Sequence, residues 1–542
     1  MAKKYTSKLQ SLKSAQQYIA EFDSATPEIQ YVFIGKTDAY GDSDTPFDIV
    51  ESPDLNDRVF TDMIAAKRVK ASDVNLVIPR VNWESNKIYR QYDPQQTTQD
   101  SITGNTSQNL EPMYVFTEGR NVYKCLSNNS GTLTANTPTG DFTTSNGVIT
   151  NPATGGGDGY IWKYMYSVRA ENKFLNSSFL PVPTRNNEST ETDTVFNLNN
   201  QGVVEGELTT IVVADGGTQY RNFSNIRVEP FLTGDTVLTV DSTFLTENLV
   251  SSITVDDLAN ANMSITGTGI QTDTHILSTD SINNKITLNK AASSNGGGSN
   301  VANNISTTTR VFVDGDGAGA LANATVDNGV VTKITVDTIG KNYEKCNALV
   351  FGTGTGVDSR VILAPKFGHG FNLAKDLIAN SVMVTSKIGE IDSTENGKIP
   401  VDIKFRQIGL IRNPYKYDTR TAITDATAND VVSQVTTLQL STGTDYIQGE
   451  KVFQGSSSTV NFAQAVVHRI TTSTEIEVTG VEGEFRNGVV LNGATSGADR
   501  FVVAVANPEF EQDSAEVLYV ENLSPITRID GQAEDIRLIL QF

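Results

Sequence analysis

Hydrophobic and polar positions alternate along most of this chain, in short stretches separated by Gly, Asn, Asp and Pro. Alternation with a period of two sends successive side chains to opposite faces of a β-strand. From residue 113 onward the pattern predicts short strands, beginning with a hairpin in which MYVF and NVYKCL flank a turn at 118–120. The pattern therefore predicts a mainly β chain.

The stretch GGGDGYIWKYMYSV, residues 155–168, shows the alternation most clearly. One face of this strand would carry an aromatic ladder made of Tyr160, Trp162, Tyr164 and Tyr166. Such a ladder is either an exposed platform for sugar rings or a buried face. The opposite face is also largely apolar, since Ile161 and Met165 flank Lys163. A strand that is apolar on both faces suits a sandwiched position, so we interpret Trp162 as core packing.

Helical spacing of apolar residues is confined to the N-terminal part of the chain. It predicts one amphipathic helix over 6–22 and a second over 52–70, with strands over 31–36 and 73–83. Pro79 has no amide to donate, so the latter strand should end there or lie at a sheet edge. The predicted fold class is mainly β, a multidomain β-sandwich protein with a few short helices near the N-terminus.

An internal repeat is the most informative pattern of the middle region. One set of residues recurs at identical spacing, with Ile211, Val213, Gly217 and Tyr220 matching Ile334, Val336, Gly340 and Tyr343. The following strand also matches, in that Ile226 and Val228 correspond to Leu349 and Phe351, and a looser third copy holds Leu438, Leu440, Gly443 and Tyr446. Each copy predicts a hairpin-sized unit whose Tyr packs over the glycine turn. About 100 residues separate the first two copies, which predicts a domain inserted into a loop.

The length of 542 residues predicts about three to five domains. We expect the following division: 1–90, the N-terminal part of a core domain; 91–190, a second β domain that ends in a linker over 180–195; 195–360, one or more inserted β domains with the internal repeat; 361–431, the core domain continued; 432–506, a second β insertion; and 507–542, C-terminal strands of the core.

The net charge of the chain limits the classes of partner that it is expected to bind. Lys and Arg number 42 against 63 Asp and Glu, a formal net charge of −21, which disfavours nucleic acid and anionic membranes as partners. Residues 1–90 are near neutral, with 12 basic and 13 acidic side chains, whereas 234–340 hold 4 and 11. We therefore expect interfaces in the N-terminal part and a solvated surface in the acidic middle.

Two cysteines, Cys125 and Cys346, lie far apart in the sequence, which indicates free thiols in a reducing cytoplasm rather than a disulfide framework. The N-terminus has no apolar run typical of a signal peptide, and no stretch of about 18 apolar residues occurs. We expect neither export by a signal peptide nor a membrane span.

Candidate chemistry is sparse. The GTGTG stretch at 352–356 lacks the Lys-Ser or Lys-Thr of a phosphate loop and indicates a turn. Asp314 and Asp316 have calcium-ligand spacing, but the next positions lack oxygen ligands, so a weak calcium site and a plain glycine turn both stay open. The three histidines are scattered, and acidic pairs such as 256–257 and 482–484 are expected by chance among 63 carboxylates. No catalytic residue, metal or cofactor is indicated.

Five stretches, in order, resemble one family. They are VIPRVNW at 77–83, VYKCL at 122–126, GDGYIWKYMY at 157–166, FRQIGLIRNP at 405–414, and EVLYVENLSPI followed by AEDIRLILQF at the C-terminal end. The family is the gene-8-type baseplate wedge protein of T-even-like contractile-tailed bacteriophages, in a long form with extra β insertions, as in cyanophages. The residues that carry the resemblance are Pro79, Arg80, Trp83, Tyr123, Cys125, Asp158, Tyr160, Trp162, Tyr164, Arg406, Gln407, Asn413, Pro414, Glu521, Asn522, Pro525 and Phe542.

The resemblance covers residues 25–190, 361–430 and 507–542 and implies a structural protein of the virion that has no enzymatic activity. It implies assembly in the host cytoplasm, a location in the tail baseplate, a homodimer, and contacts with other wedge proteins. The segments 195–360 and 432–506 have no counterpart in compact members, so they could contact wedge proteins, tail fibres or host glycans. Two alternatives stay open: a carbohydrate-binding adhesin that uses the aromatic ladder or the inserted domains, and a tail-associated glycan hydrolase.

Overall fold

The chain is mainly β, with several sheets and few short helices, which confirms the predicted fold class. The structure is a computed structural model, and it describes residues 8–22, 24, 26–50, 52, 54–94, 110–141, 143, 147–151, 156–183, 203–247, 254–298, 304–388, 399–443, 445–529 and 531–542. Within these ranges no helix is both long enough and apolar enough for a membrane crossing. The chain divides into two compact units, the first formed by 1–78, 173–188 and 379–542 and the second by 79–172 and 189–378.

Up to residue 183 the helices are α1 (Lys8–Phe22) and α2 (Leu55–Asp62), and a 3-10 helix spans Ala71–Asp73. The strands of this part are β1 (Gln30–Gly35), β2 (Met63–Arg68), β3 (Val74–Pro79), β4 (Ile88–Tyr89), β5 (Leu110–Glu111), β6 (Tyr114–Phe116), β7 (Asn121–Ser127), β8 (Val148–Thr150), β9 (Ile161–Ser167) and β10 (Phe179–Pro181).

From residue 203 to 388 the helices are α3 (Ser242–Glu247), α4 (Val255–Leu258) and α5 (Leu373–Asp376). The strands are β11 (Leu208–Thr218), β12 (Phe223–Ile226), β13 (Val237–Thr239), β14 (Ser264–Gly267), β15 (Ile276–Asp280), β16 (Lys285–Leu288), β17 (Ile305–Thr308), β18 (Arg310–Gly315), β19 (Ala318–Asp327), β20 (Val330–Lys341), β21 (Cys346–Phe351), β22 (Thr355–Leu363) and β23 (Ser381–Ile388).

The remainder of the chain is built from strands. They are β24 (Ile403–Arg412), β25 (Tyr415–Lys416), β26 (Thr421–Ala422), β27 (Val431–Ser433), β28 (Thr436–Leu440), β29 (Lys451–Ser457), β30 (Val460–Thr472), β31 (Glu475–Gly483), β32 (Val490–Gly493), β33 (Asp499–Ala506), β34 (Glu516–Arg528) and β35 (Glu534–Gln541).

The predictions for the N-terminal part are mostly confirmed. Helix α1, strands β1 and β3, and the β6–β7 hairpin form where expected, and β3 ends at Pro79. The predicted helix over 52–70 is wrong beyond Asp62, because MIAAKR forms β2 between β1 and β27. Its first four residues are all buried, and a short apolar run can satisfy either helix or strand until tertiary pairing decides.

The predicted linker over 180–195 is wrong at its start, because Leu180 and Pro181 end strand β10, and Val182 N donates to the Leu76 carbonyl. Residues 184–195 lie outside the described ranges. The buried residues Leu180, Pro181 and Val182 therefore extend a sheet where the polar sequence that follows suggested a loop.

Two sheets of the first unit join segments that are far apart in sequence. The five-stranded sheet has the order β27-β2-β1-β24-β34, and the four-stranded sheet has the order β10-β3-β23-β35. β1 pairs with β24 so that Tyr31 faces Ile411, and β24 pairs with β34 so that Leu410 faces Tyr519. Because Tyr31 and Ile411 are fully buried, apolar burial of about 1.5–3 kcal/mol per side chain favours this long-range pairing.

The internal repeat forms one barrel-like sheet in the second unit, called the first barrel, with the order β21-β18-β19-β20-β11-β22. Its end strands meet where Ser359 Oγ donates to the Ala348 carbonyl at 3.2 Å. The two copies of the repeat are neighbours, since β11 pairs with β20 and Ile211 faces Ile334.

The repeat continues differently from the prediction. Strand β12, with Ile226, belongs to a separate sheet and is not the counterpart of β21. The counterpart is β18, which pairs with β21 so that Phe312 faces Leu349. Between Tyr220 and β18 lies an inserted domain with its own core, whose sheets have the orders β12-β17-β14 and β13-β16-β15.

Each repeat tyrosine packs against a glycine turn of the other copy, and Tyr343 also packs over the turn of its own copy as predicted, since a Cβ on Gly340 would stand 2.7 Å from its ring. Tyr220 lies under the turn between β21 and β22, where a Cβ on Gly352 would stand 2.7 Å from its ring. Tyr343 lies under the turn between β18 and β19, where a Cβ on Gly317 would overlap its ring. Only glycine lets the backbone approach these rings so closely, so the exchange of tyrosines locks the two copies together.

The looser third copy forms the beginning of a closed barrel in the first unit. This barrel is called the second barrel and has the order β28-β31-β30-β29-β32-β33. If the six strands of each barrel are numbered in chain order, the first barrel has the order 5-2-3-4-1-6 and the second has the order 1-4-3-2-5-6. These are the same circular order, read in opposite directions. Tyr446 is buried after the first strand, as Tyr220 is, and its hydroxyl donates to the Leu491 carbonyl at 2.7 Å. The two barrels therefore share one topology.

Candidate functional site

The aromatic strand β9 is core, as interpreted from its sequence. Trp162 has 0% exposure; its ring stacks on Tyr160 at a centroid distance of 5.4 Å and meets the edge of Tyr89 at 5.6 Å. The cluster around it comprises Tyr89, Val115, Tyr123, Cys125, Ile149, Tyr160, Trp162 and Tyr164, with Val81 and Trp83 partly buried. An exposed sugar platform on this ladder is excluded. Cys125 and Cys346 are free thiols, as expected.

Asp158 holds the loop that leads into this strand. Its carboxylate accepts hydrogen bonds from the backbone amides of Ala135, Asn136 and Tyr160 at 2.8–3.1 Å. Burial opposes ionisation of Asp158, but these amides outweigh it and lower the pKa of the carboxyl. The Gly-Asp-Gly-Tyr motif is therefore a loop anchor in which the carboxylate replaces backbone partners.

The motif around Pro79 borders the same sheet. The Pro79 carbonyl accepts the Tyr114 hydroxyl at 2.8 Å, and the Arg80 guanidinium lies 4.9 Å from the centroid of the Phe116 ring. Trp83 N donates to the Phe116 carbonyl, and the Trp83 ring is partly buried against the aromatic cluster. These signature residues are packing and strand-pairing elements.

The remaining signature residues lie in the first unit, on and beside β24 and β34. The Arg406 guanidinium forms two hydrogen bonds of 2.6 Å to Asp44, and Gln407 Nε2 donates to Asn522 Oδ1 at 3.1 Å. Asn413 has a φ of 52°, a left-handed conformation that Asn tolerates well, and its Oδ1 accepts Ile29 N. Two motifs that are over 100 residues apart are thus adjacent strands.

The other four signature residues occupy ends and edges. Pro414 is buried after β24; Glu521 and Pro525 lie on β34, which is the last strand of its sheet. Phe542 N donates to the Asn380 carbonyl, and the Phe542 ring lies 5.6 Å from that of Tyr18. The C-terminal Phe therefore attaches β35 to helix α1.

Several of the acidic candidates have structural partners. Asp316 Oδ1 accepts the backbone amides of Glu344 and Lys345, which lowers the pKa of Asp316, and Asp314 faces Asn347 across a strand pair. Asp257 accepts Thr254 N at the start of α4. Among the described residues no group of three or more His, Cys, Asp or Glu side chains is arranged to hold a metal ion.

A buried charged cluster, which the sequence did not nominate, lies in the second unit. Lys124 on β7 and Lys163 on β9 face each other across the strand pair, on the side opposite the aromatic cluster. Around them lie Glu207 and Thr209 from the start of β11, His369, Asp376 at the end of α5, and Tyr92. All the ionisable members among these except Tyr92 are at most 5% exposed.

The cluster has a defined geometry. Lys124 Nζ lies 3.1 Å from Asp376 Oδ1 and 3.1 Å from His369 Nδ1. The other carboxylate oxygen, Asp376 Oδ2, accepts Gly370 N at 2.6 Å, and His369 Nε2 lies 2.8 Å from Thr209 Oγ1. With Nδ1 accepting from the lysine, the neutral imidazole carries its proton on Nε2 and donates it to Thr209.

Burial controls the protonation of the cluster. It lowers the pKa of Lys124 and of Lys163, and together with the two lysines it lowers the pKa of His369 well below the ordinary value. Burial also raises the pKa of Glu207 to about 7, against the opposing influence of Lys163. Glu207 Oε2 has no hydrogen-bond partner among the described residues. The site thus favours neutral forms of groups that are normally charged.

The sequence did hold one signal for this cluster. Lys124 and Lys163 each stand in the middle of an otherwise apolar strand, NVYKCL and YIWKYM, where a buried lysine requires a partner. Glu207, His369 and Asp376 come from distant loops and strand ends, so their convergence depends on the tertiary fold.

A surface cavity of about 840 Å³ lies beside the aromatic cluster, in the second unit. Three loops line it, 83–85, 117–121 and 137–140, and they present Trp83, Glu118 and Asn121. The second unit therefore combines a sealed charged cluster with an open cavity of mixed polar and apolar lining that borders a tryptophan.

No protein-family model and no curated protein sequence matches this chain.

Proposed function

We propose that this protein is a structural subunit of a phage tail baseplate wedge, in which it links neighbouring wedge proteins and rearranges with them on contraction. The observation that carries the proposal is the pairing of β24 with β34, which sets the FRQI motif beside the YVENLSPI motif through Gln407 and Asn522. Motifs over 100 residues apart that pair within one sheet support a structural role, because both are used to build the fold.

The chemistry of the signature residues also supports a structural role. Three of them make their contacts within the chain: Trp162 is packed in the core, Arg406 forms an ion pair, and Asn413 connects two strands. Asp257, a member of one acidic pair considered for hydrolysis, accepts the backbone amide of Thr254, and Asp316, the candidate calcium ligand, accepts that of Lys345. A glycan hydrolase would instead need two carboxyl groups facing a substrate cleft.

The proposal is tested in the virion and in solution. Gold-labelled antibodies against the purified protein should bind the tail tip of the phage that encodes it. One chain has a mass of 58.6 kDa, and light scattering should give twice this mass. An isologous homodimer would be self-complementary, as most two-fold assemblies are. Absence of the protein from purified tails would overturn the baseplate assignment.

A second candidate function, carbohydrate binding, is favoured by the cavity beside Trp83. Aromatic and polar side chains lining a concave surface are suited to a ligand with apolar faces and hydroxyl groups. A glycan array should then detect binding that Glu118→Ala abolishes without changing the melting temperature, because Glu118 is exposed. An array without any bound glycan would remove this candidate and leave the structural proposal intact.

A further inference from the structure

The Lys124 amine and the Asp376 carboxyl lie together in a site that is closed to water. Their side chains are 0% and 2% exposed, and Nζ stands 3.1 Å from Oδ1. In water, hydrolysis opposes amide formation between an amine and a carboxylic acid, whereas a dry, oriented pair of reactants has a high effective concentration. The geometry therefore suits a reaction between the amine and the carboxyl group as well as it suits an ion pair.

We propose that Lys124 and Asp376 condense to form an intramolecular isopeptide bond, which cross-links β7 to the segment that ends α5. The atoms balance without any further reagent. An ammonium and a carboxylate first exchange one proton to give an amine and a carboxylic acid. The Nζ lone pair then forms a bond to Cγ of Asp376, the bond from Cγ to Oδ1 breaks, and one water molecule leaves.

The groups that such a condensation needs surround the two side chains. Gly370 N donates to Asp376 Oδ2 at 2.6 Å, so it stabilises negative charge on the oxygen that remains as the amide carbonyl. His369 Nδ1, 3.1 Å from Nζ, accepts the proton that Nζ must lose and returns it to the departing oxygen. Thr209 Oγ1 at Nε2 fixes the ring in the tautomer that leaves Nδ1 free to accept.

The surroundings favour the reactive protonation states. Burial lowers the pKa of Lys124, which raises the fraction of neutral, nucleophilic amine. The Tyr92 ring lies 4.0 Å from Nζ and covers it on another side. Lys163, Glu207 and His369 are the other charged or titratable groups that face the pair, and burial keeps Glu207 partly protonated near neutral pH.

The cross-link would give this chain a covalent brace that does not depend on redox state. Both cysteines are free. The bond would join residues 252 positions apart, and long closed loops restrict the unfolded chain more than short ones do. Residues 125–375 would then remain connected to β7 at both ends when the second unit is pulled or heated.

Mass spectrometry of the denatured full-length protein tests the proposal directly. The cross-linked chain should be about 18 Da lighter than its sequence mass, because one water is lost. Trypsin cannot cleave after an acylated Lys124, so peptide 121–163 should be found joined to peptide 376–387. A mass equal to the sequence mass, with peptides 121–124 and 376–387 released separately, would overturn the proposal.

Two variants separate the bond from the ion pair. Lys124→Arg keeps the cation beside Asp376 but removes the amine, so it should show the full sequence mass and a lower melting temperature. Asp376→Asn can still condense, with loss of ammonia instead of water, and should be about 17 Da lighter than its own sequence mass. A wild-type mass deficit that persists in Lys124→Arg would place the modification elsewhere and refute the assignment.

Discussion

Ile211 and Ile334 face each other across the paired strands β11 and β20, and they are the same position of two copies of one repeat. Phe312 and Leu349, the equivalent positions of the next strands, face each other in the same way. Equivalent residues that pair with each other lie close to a local two-fold axis. The first barrel is therefore a duplicated three-stranded unit folded onto itself, with each copy completed by the tyrosine of the other.

Removal of the Trp162 ring should strongly destabilise the second unit. Trp162→Ala creates a cavity beside Tyr160 and Tyr89 and should lower the free energy of unfolding by about 3–5 kcal/mol. Urea denaturation followed by circular dichroism measures this. As a control, Phe312→Ala removes a ring that is 41% exposed and should change stability by less than about 0.5 kcal/mol. Equal losses in both variants would contradict the core assignment of Trp162.

The exchange of tyrosines in the first barrel predicts that Gly352 cannot carry a side chain. Gly352→Ala places a Cβ 2.7 Å from the Tyr220 ring and should cost about 1–3 kcal/mol through overpacking. The double variant with Tyr220→Leu should recover part of this loss, because the two residues are in contact. Gly119→Ala, whose nearest atoms stand at 3.8 Å, is the matched control and should be nearly neutral. Full additivity of the two changes would refute the contact.

Glu207 should make the second unit less stable as pH rises. Burial raises its folded pKa to about 7, above the unfolded value of 4.5, so the stabilisation is present below pH 4.5 and is lost towards pH 7. The loss amounts to about 3 kcal/mol relative to Glu207→Gln, which does not titrate. Tryptophan fluorescence monitors this unit, since Trp83 and Trp162 both belong to it. Parallel pH curves for the two proteins would contradict the prediction.

His468 should have the opposite effect on the second barrel. Burial, with Arg469 adding to it, lowers the pKa of His468 from 6.5 to about 4. The stability that depends on the neutral ring is present above pH 6.5 and is lost as pH falls towards 4, by about 3 kcal/mol. The protection factors of the β30 amides, which are corrected for the intrinsic pH dependence of exchange, should therefore fall in acid in the wild type and less so in His468→Gln. The same fall in both proteins would show that another group controls the barrel.

Much of the fold could be predicted from the local pattern of apolar and polar residues in the sequence. Period-two alternation identified β7 and β9, and the apolar character of both faces of β9 predicted the burial of Trp162. The helix predicted beyond Asp62 failed because MIAAKR is apolar enough for either structure, and its place between β1 and β27 decides the outcome. The register of the repeat failed after Tyr220, because an inserted domain separates β11 from the strand that completes its copy.

The buried charged cluster could be predicted only in part. A lysine inside each of two apolar strands is visible in the sequence, and the pairing of β7 with β9 would suggest that they meet. Nothing local marks His369 or Asp376, because their burial arises from how the segment after the first barrel lies against β7. Sites assembled from one strand and a distant loop depend on long-range contacts, which a residue pattern does not encode.

The inserted domain enters and leaves the first barrel at adjacent points. Asn222 Oδ1 accepts Thr309 N at 2.7 Å, so the chain returns to the place from which it departed. At the equivalent point of the other copy, only Glu344 and Lys345 separate Tyr343 from β21. The same barrel junction thus accepts two residues or nearly ninety, and domain insertion is best tolerated where chain ends lie together. Exchange of the module at this junction therefore changes the exposed surface of the second unit while the fold of the barrel is kept.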